Sequence, residues 1–125
     1  MTSKTYERGL EMRKKVMGAA RVEEALANAD EFTQPLEELM TEYCWGAVMS
    51  RPGLAPNIRS MLNLAMLTAL NRPAEFKLQL EAALNNGVTR EEIGEVLLQA
   101  GIYCGLPAAV DSFRIAQEVF KERGI

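Results

Sequence analysis

The segment from Asn57 to Leu70 limits what this chain can fold into more than any other stretch. Ile58, Met61, Leu62, Leu64, Ala65, Met66, Leu67, Ala69 and Leu70 spread apolar side chains around nearly the whole circumference of a helix. A helix with no polar face must be covered on every side, and a chain of 125 residues has few ways to do that. Either it is the central helix of the fold, or part of it lies in a subunit interface. Both alternatives stay open on the residues alone.

The rest of the chain repeats the same period. No segment alternates strictly between apolar and polar residues as a half-buried strand would, so the expected class is all-α. The clearest helix runs from about Arg90 to Cys104. Thr89 is placed to cap it while Glu92 reaches back to the cap amide, the reciprocal arrangement of a capping box. Gly87, just before, suits the left-handed residue that ends the previous helix. Ile93, Val96, Leu97, Ala100, Gly101 and Cys104 recur on one face, and Leu98 and Ile102 widen that stripe beyond what one partner needs. Pro56 and Pro73 each suit a first helical turn and predict helices to about Leu70 and Asn86. Pro107 starts the last helix, to about Glu122, with Gly105 and Pro107 breaking it from its predecessor. Upstream, Gln34 or Pro35 begins a helix to about Val48 and Thr5 one to about Val16. Between these, the Ala- and Glu-rich stretch from roughly Gly18 to Asp30 predicts further helix.

One domain, residues 1–125, is the natural organisation for this length. Hydrophobic residues at 48% and charged residues at 25% give the balance of a chain that builds its own core. The net charge of -3, with no concentrated basic surface, argues against a nucleic-acid partner. No apolar run reaches the ~18 residues of a membrane span. Lys4, Arg8, Arg13, Lys14 and Lys15 deny the N-terminal segment the apolar core of a signal peptide, so a cytoplasmic protein is expected. Cys44 and Cys104 lie far apart and form neither a C-x-x-C pair nor a metal cluster. Kept reduced, both are expected to be buried as small hydrophobes. The chain has no histidine, and a metal site is not expected. Its seven methionines fit adaptable packing better than sulfur chemistry.

Three strings carry more specific information. They are Thr41-Glu42-Tyr43-Cys44-Trp45-Gly46-Ala47-Val48-Met49-Ser50-Arg51-Pro52-Gly53-Leu54, then Ala82-Ala83-Leu84-Asn85-Asn86-Gly87-Val88-Thr89-Arg90-Glu91-Glu92-Ile93, and Ile102-Tyr103-Cys104-Gly105-Leu106-Pro107-Ala108-Ala109. Their order and spacing, over roughly residues 30 to 121, resemble the carboxymuconolactone decarboxylase family. The resemblance implies a compact helical bundle of the alkylhydroperoxidase D-like type, assembled into a ring-like homo-oligomer, a trimer or hexamer. It thereby favours the interface reading of the apolar helix. It also implies loss of carbon dioxide from 4-carboxymuconolactone or a related carboxylate in aromatic-compound breakdown. No cofactor is implied, because electrons from the leaving carboxylate flow through the ring alkene to the lactone carbonyl of the substrate itself.

Such a reaction needs the carboxylates held, the developing oxyanion stabilised and a proton delivered to carbon. Glu75 and Gln79 fall one turn apart on one predicted helix. The resemblance implies an acid and a histidine there; Glu75 matches the acid, and Gln79 stands where the histidine would. A glutamine donates and accepts hydrogen bonds but exchanges no proton near neutral pH. Glu75 is therefore the candidate proton shuttle, with Gln79 orienting substrate; otherwise Glu75 simply complements the helix dipole in a first turn and Gln79 faces water. Arg59 and Arg51 are candidate carboxylate clamps, since a guanidinium fork matches a carboxylate in two-bond geometry. Trp45, Tyr103 and Glu42 are candidate substrate contacts, with an indole or phenol walling a flat ring. A lone tryptophan is more often core, and Gly46 beside it permits close backbone approach.

Two other functions compete. A thiol-dependent peroxide reductase needs two proximal cysteines and usually a histidine, which this chain lacks. A diverged member with altered chemistry, or with a binding role alone, fits the glutamine at position 79.

Overall fold

The computed structural model describes residues 3–125, and every regular element among them is helical. These residues fall into two compact units, one ending at Pro56 and one beginning at Asn57.

In the first unit, α1 (Lys4–Met17), α2 (Ala19–Ala27) and α3 (Gln34–Leu39) lead directly into a π-helical segment, Met40–Met49. Ser3 caps α1 by accepting from the Tyr6 amide at 3.0 Å. Asp30 shapes the turn before α3, its Oδ1 accepting from the Phe32 and Thr33 amides at 3.0 Å each. Those donors hold its carboxyl below the ordinary aspartate range. The helix expected from Gln34 to about Val48 is thus present as two segments, and the wider turn begins at Met40. Its cause is visible at the C-terminal end. The Gly46 carbonyl, which an α-helix would offer to the Ser50 amide, instead accepts from Arg8 at 3.3 and 3.1 Å and from the Ser50 hydroxyl. The Ser50 amide donates one residue further back, to the Trp45 carbonyl at 3.0 Å.

The same segment packs tightly against α1. A Cβ on Gly9 would strike the Thr41 carbonyl and the Gly46 amide, and one on Gly46 would strike the Thr5 carbonyl. Glycine at both positions lets the two backbones touch, the close approach expected beside Trp45. A sheltered ion pair, Arg13 to Glu37 at 2.8 Å, ties α1 to α3, and Arg13 also donates to the Thr41 hydroxyl at 3.1 Å.

In the second unit, α4 (Pro56–Ala69), α5 (Pro73–Asn85), α6 (Arg90–Cys104) and α7 (Leu106–Arg123) occupy the stretches where Pro, Gly and the capping pair place them. Both halves of the capping box form: Glu92 accepts from the Thr89 amide at 2.9 Å and Thr89 accepts from the Glu92 amide at 3.1 Å. Gly87 takes φ 90° after α5. The core joins Leu64, Phe76, Leu80, Ile93, Leu97 and Val119. One buried polar contact crosses it, Thr68 to Ser112 at 2.8 Å, with Thr68 also donating to the Leu64 carbonyl.

One of two open alternatives falls and one expectation needs correction. The apolar helix, now α4, is not central: Leu64 is fully buried, but Ile58, Leu62, Met66 and Leu70 form an open stripe, Leu70 being 68% exposed. They recur every fourth residue, so one continuous face is left uncovered. Both cysteines are exposed rather than buried. Cys104 occupies the last position of α6, beyond the buried Ala100 and Gly101, and Cys44 lies in the π segment next to the buried Trp45.

Candidate active site

In the second unit, α4 and α5 are joined by a three-residue link, Leu70 to Arg72. Asn63 and Gln79 sit at matching distances from that link, as facing residues of an antiparallel hairpin do. Their side chains meet there, Asn63 Nδ2 donating to Gln79 Oε1 at 3.5 Å in a half-buried setting. Arg59 lies one turn before Asn63 on the same side of α4, and Glu75 one turn before Gln79 on the same side of α5. Arg59 and Glu75 thus each stand one turn from the amide pair, on different helices. Arg59 is half-buried; Glu75, in the first turn of α5, is exposed.

This grouping holds a cation, two amides and an acid. It can bind an anionic group, hydrogen-bond an oxygen and exchange a proton. Sequence reasoning named Arg59, Gln79 and Glu75 but missed Asn63. The signal was present, since Asn63 is an amide in the middle of an otherwise apolar helix, one turn from Arg59.

The remaining expected residues lie on other segments. Tyr103, at 84% exposure, lines an apolar groove of about 390 Å³ between α4 and α6, whose floor includes Met61, Ala65, Val96 and Ala100. In the first unit, Trp45 is buried at 6% exposure and Arg51 is exposed. Glu42 is half-buried and accepts from the Ser3 hydroxyl at 3.0 Å. Burial pushes the Cys44 thiol up, partly opposed by the positive charge of Arg13. That is the reverse of the activation a peroxide-reducing thiol needs. Among the described residues no group of three or more acidic or cysteine side chains is arranged to hold a metal ion, and no helix is long and apolar enough to cross a membrane.

Comparison with known proteins gives this arrangement a context. The carboxymuconolactone decarboxylase family matches residues 34–118. The chain is 42% identical over 120 residues to the 4-carboxymuconolactone decarboxylase of Acinetobacter baylyi, covering 96% of this chain and 90% of that one. It is 40% identical over 117 residues to the nitrosuccinic acid decarboxylase of Metarhizium robertsii, covering 94% and 82% respectively.

Proposed function

Because the chain belongs to the carboxymuconolactone decarboxylase family, we propose that it is a carboxy-lyase acting in the cytoplasm on 4-carboxymuconolactone or a related lactone or carboxylate. The observation that carries this reading is the Asn63–Gln79 contact between α4 and α5, with Arg59 and Glu75 each one turn earlier on those helices. Arg59 holds a carboxylate of the substrate, Gln79 orients it, and Glu75 carries the proton. The bond between ring carbon and carboxylate breaks and carbon dioxide leaves. The electron pair stays on the ring and delocalises through the alkene to the lactone carbonyl as a dienolate. Protonation of carbon then gives the enol-lactone, and the acid regains its proton from water. Tyr103, exposed in the second unit, is a further candidate for substrate contact; in the first unit Arg51 and Glu42 are candidates in their own right, and Trp45 is core.

Two features qualify the substrate and the assembly. The relatives' names include a lactone acid and a nitro acid; both fit an acid whose carboxylate leaves against an electron acceptor within the same molecule. An amide at position 79 supports a retuned substrate better than lost chemistry, since it keeps a polar contact where the family resemblance implies a histidine. The uncovered stripe of α4, with Leu98, Ile102 and Leu106 also open, supports a homo-oligomer in which a neighbouring copy covers this face.

The test is a panel of carboxylated lactones and nitro-substituted dicarboxylic acids, followed by released carbon dioxide with no added cofactor. Stoichiometric release from at least one, reduced at least ~100-fold by Glu75→Gln, supports the reading. No release from any member removes the activity, and unchanged release in the variant removes the proton role of Glu75.

A further inference from the structure

We propose that Asn63 is a positioning residue that makes Gln79 a hydrogen-bond donor, so that position 79 recognises a negatively charged oxygen of the substrate. This rests on the decarboxylase reading above and assigns the chemistry of one contact within it. A glutamine amide is ambiguous: it presents an acceptor or a donor according to which way it is turned. The long contact with Asn63, at 3.5 Å, turns it one way. Asn63 Nδ2 donates to Gln79 Oε1, so the carbonyl is spoken for and the planar amide turns its two N–H bonds to the other side.

A cation on the same helix favours this sense. Arg59 lies one turn before Asn63 on the same side of α4. A carboxamide dipole beside a cation turns its oxygen toward the charge, which leaves the Asn63 N–H bonds directed at α5. The chain of dipoles then reads from the Arg59 cation through the Asn63 and Gln79 amides to an outward N–H pair. An outward donor pair in a half-buried place favours a carboxylate or enolate oxygen and disfavours a neutral donor group. Unlike an imidazole, this donor cannot release its proton to the carbanion, so it holds charge without competing for the protonation step.

The experiment measures kcat and KM for 4-carboxymuconolactone in Asn63→Asp, Asn63→Leu, Gln79→Leu and the double variants. An ionised aspartate of the same shape only accepts, so it draws the Gln79 N–H toward itself and presents the carbonyl to the anion. Asn63→Asp is expected to lower kcat/KM on the order of 10- to 100-fold, with partial recovery at low pH as the new acid becomes a donor. Asn63→Leu frees the amide and gives a smaller loss, and neither change costs more in the Gln79→Leu background. Equal losses with and without Gln79 would mean that Asn63 is only structural, and would overturn the proposal. Should the wild type not turn over the lactone, the functional reading fails alone. The side-chain amide signals of Gln79 in a ¹⁵N spectrum then decide: a shift in Asn63→Asp upholds the coupling, and identical signals refute it.

Discussion

The exposed Cys44 separates surface accessibility from reactivity. Its sulfur lies close enough to the packed π segment for burial to push the thiol up, although the residue as a whole is open to solvent. In a Cys104→Ser background, alkylation of Cys44 by iodoacetamide is expected to show a midpoint above the ~8.5 of a free thiol. A midpoint below about 8 would mark an activated cysteine and reopen the peroxide-reductase function. At this scale the sequence was only partly legible. Arg59, Glu75 and Gln79 stood out by residue type and by the family resemblance, and they lie on α4 and α5. Asn63 was invisible as a partner because its meaning depends on which residue of α5 faces it. The exposure of both cysteines also had no local signal, since helical period says which residues share a face but not which face is covered.

Helices were the most readable element because their ends are written in local chemistry. Proline at first turns, Gly87 and Gly105 at breaks, and the Thr89–Glu92 pair act within a few residues and need no tertiary context. The π segment was not readable. It arises from a residue distant in sequence, Arg8, which takes the Gly46 carbonyl, and hydrophobic spacing does not record which carbonyl an amide chooses. The glycine pair at the α1 crossing gives this element a direct test. Gly46→Ala drives a methyl group into the Thr5 carbonyl and is expected to cost about 3 kcal/mol or more of stability, read from denaturant unfolding. The control Gly53→Ala, with open space around its Cβ position, should cost well under that. Similar stabilities for the two variants would show that the backbones do not approach as described.

For the whole molecule, hydrophobic periodicity gave an all-helical chain, and the family strings gave the kind of reaction. Assembly was not legible from the residues alone, because an apolar face is equally suited to a core and to an interface. The open stripe of α4 is the face an association would cover. Wild-type protein at micromolar concentration is expected to sediment as an oligomer, and Leu62→Glu with Met66→Glu to sediment as a smaller species with unchanged helix content. A monomeric wild type would contradict that assembly. The chemistry has a more direct test in the specificity constant of Arg59→Ala relative to wild type on 4-carboxymuconolactone, with far-ultraviolet circular dichroism showing that both are folded. Loss of a carboxylate clamp is expected to lower kcat/KM by ~100-fold or more. A folded Arg59→Ala protein that decarboxylates as fast as the wild type would contradict the account at its centre.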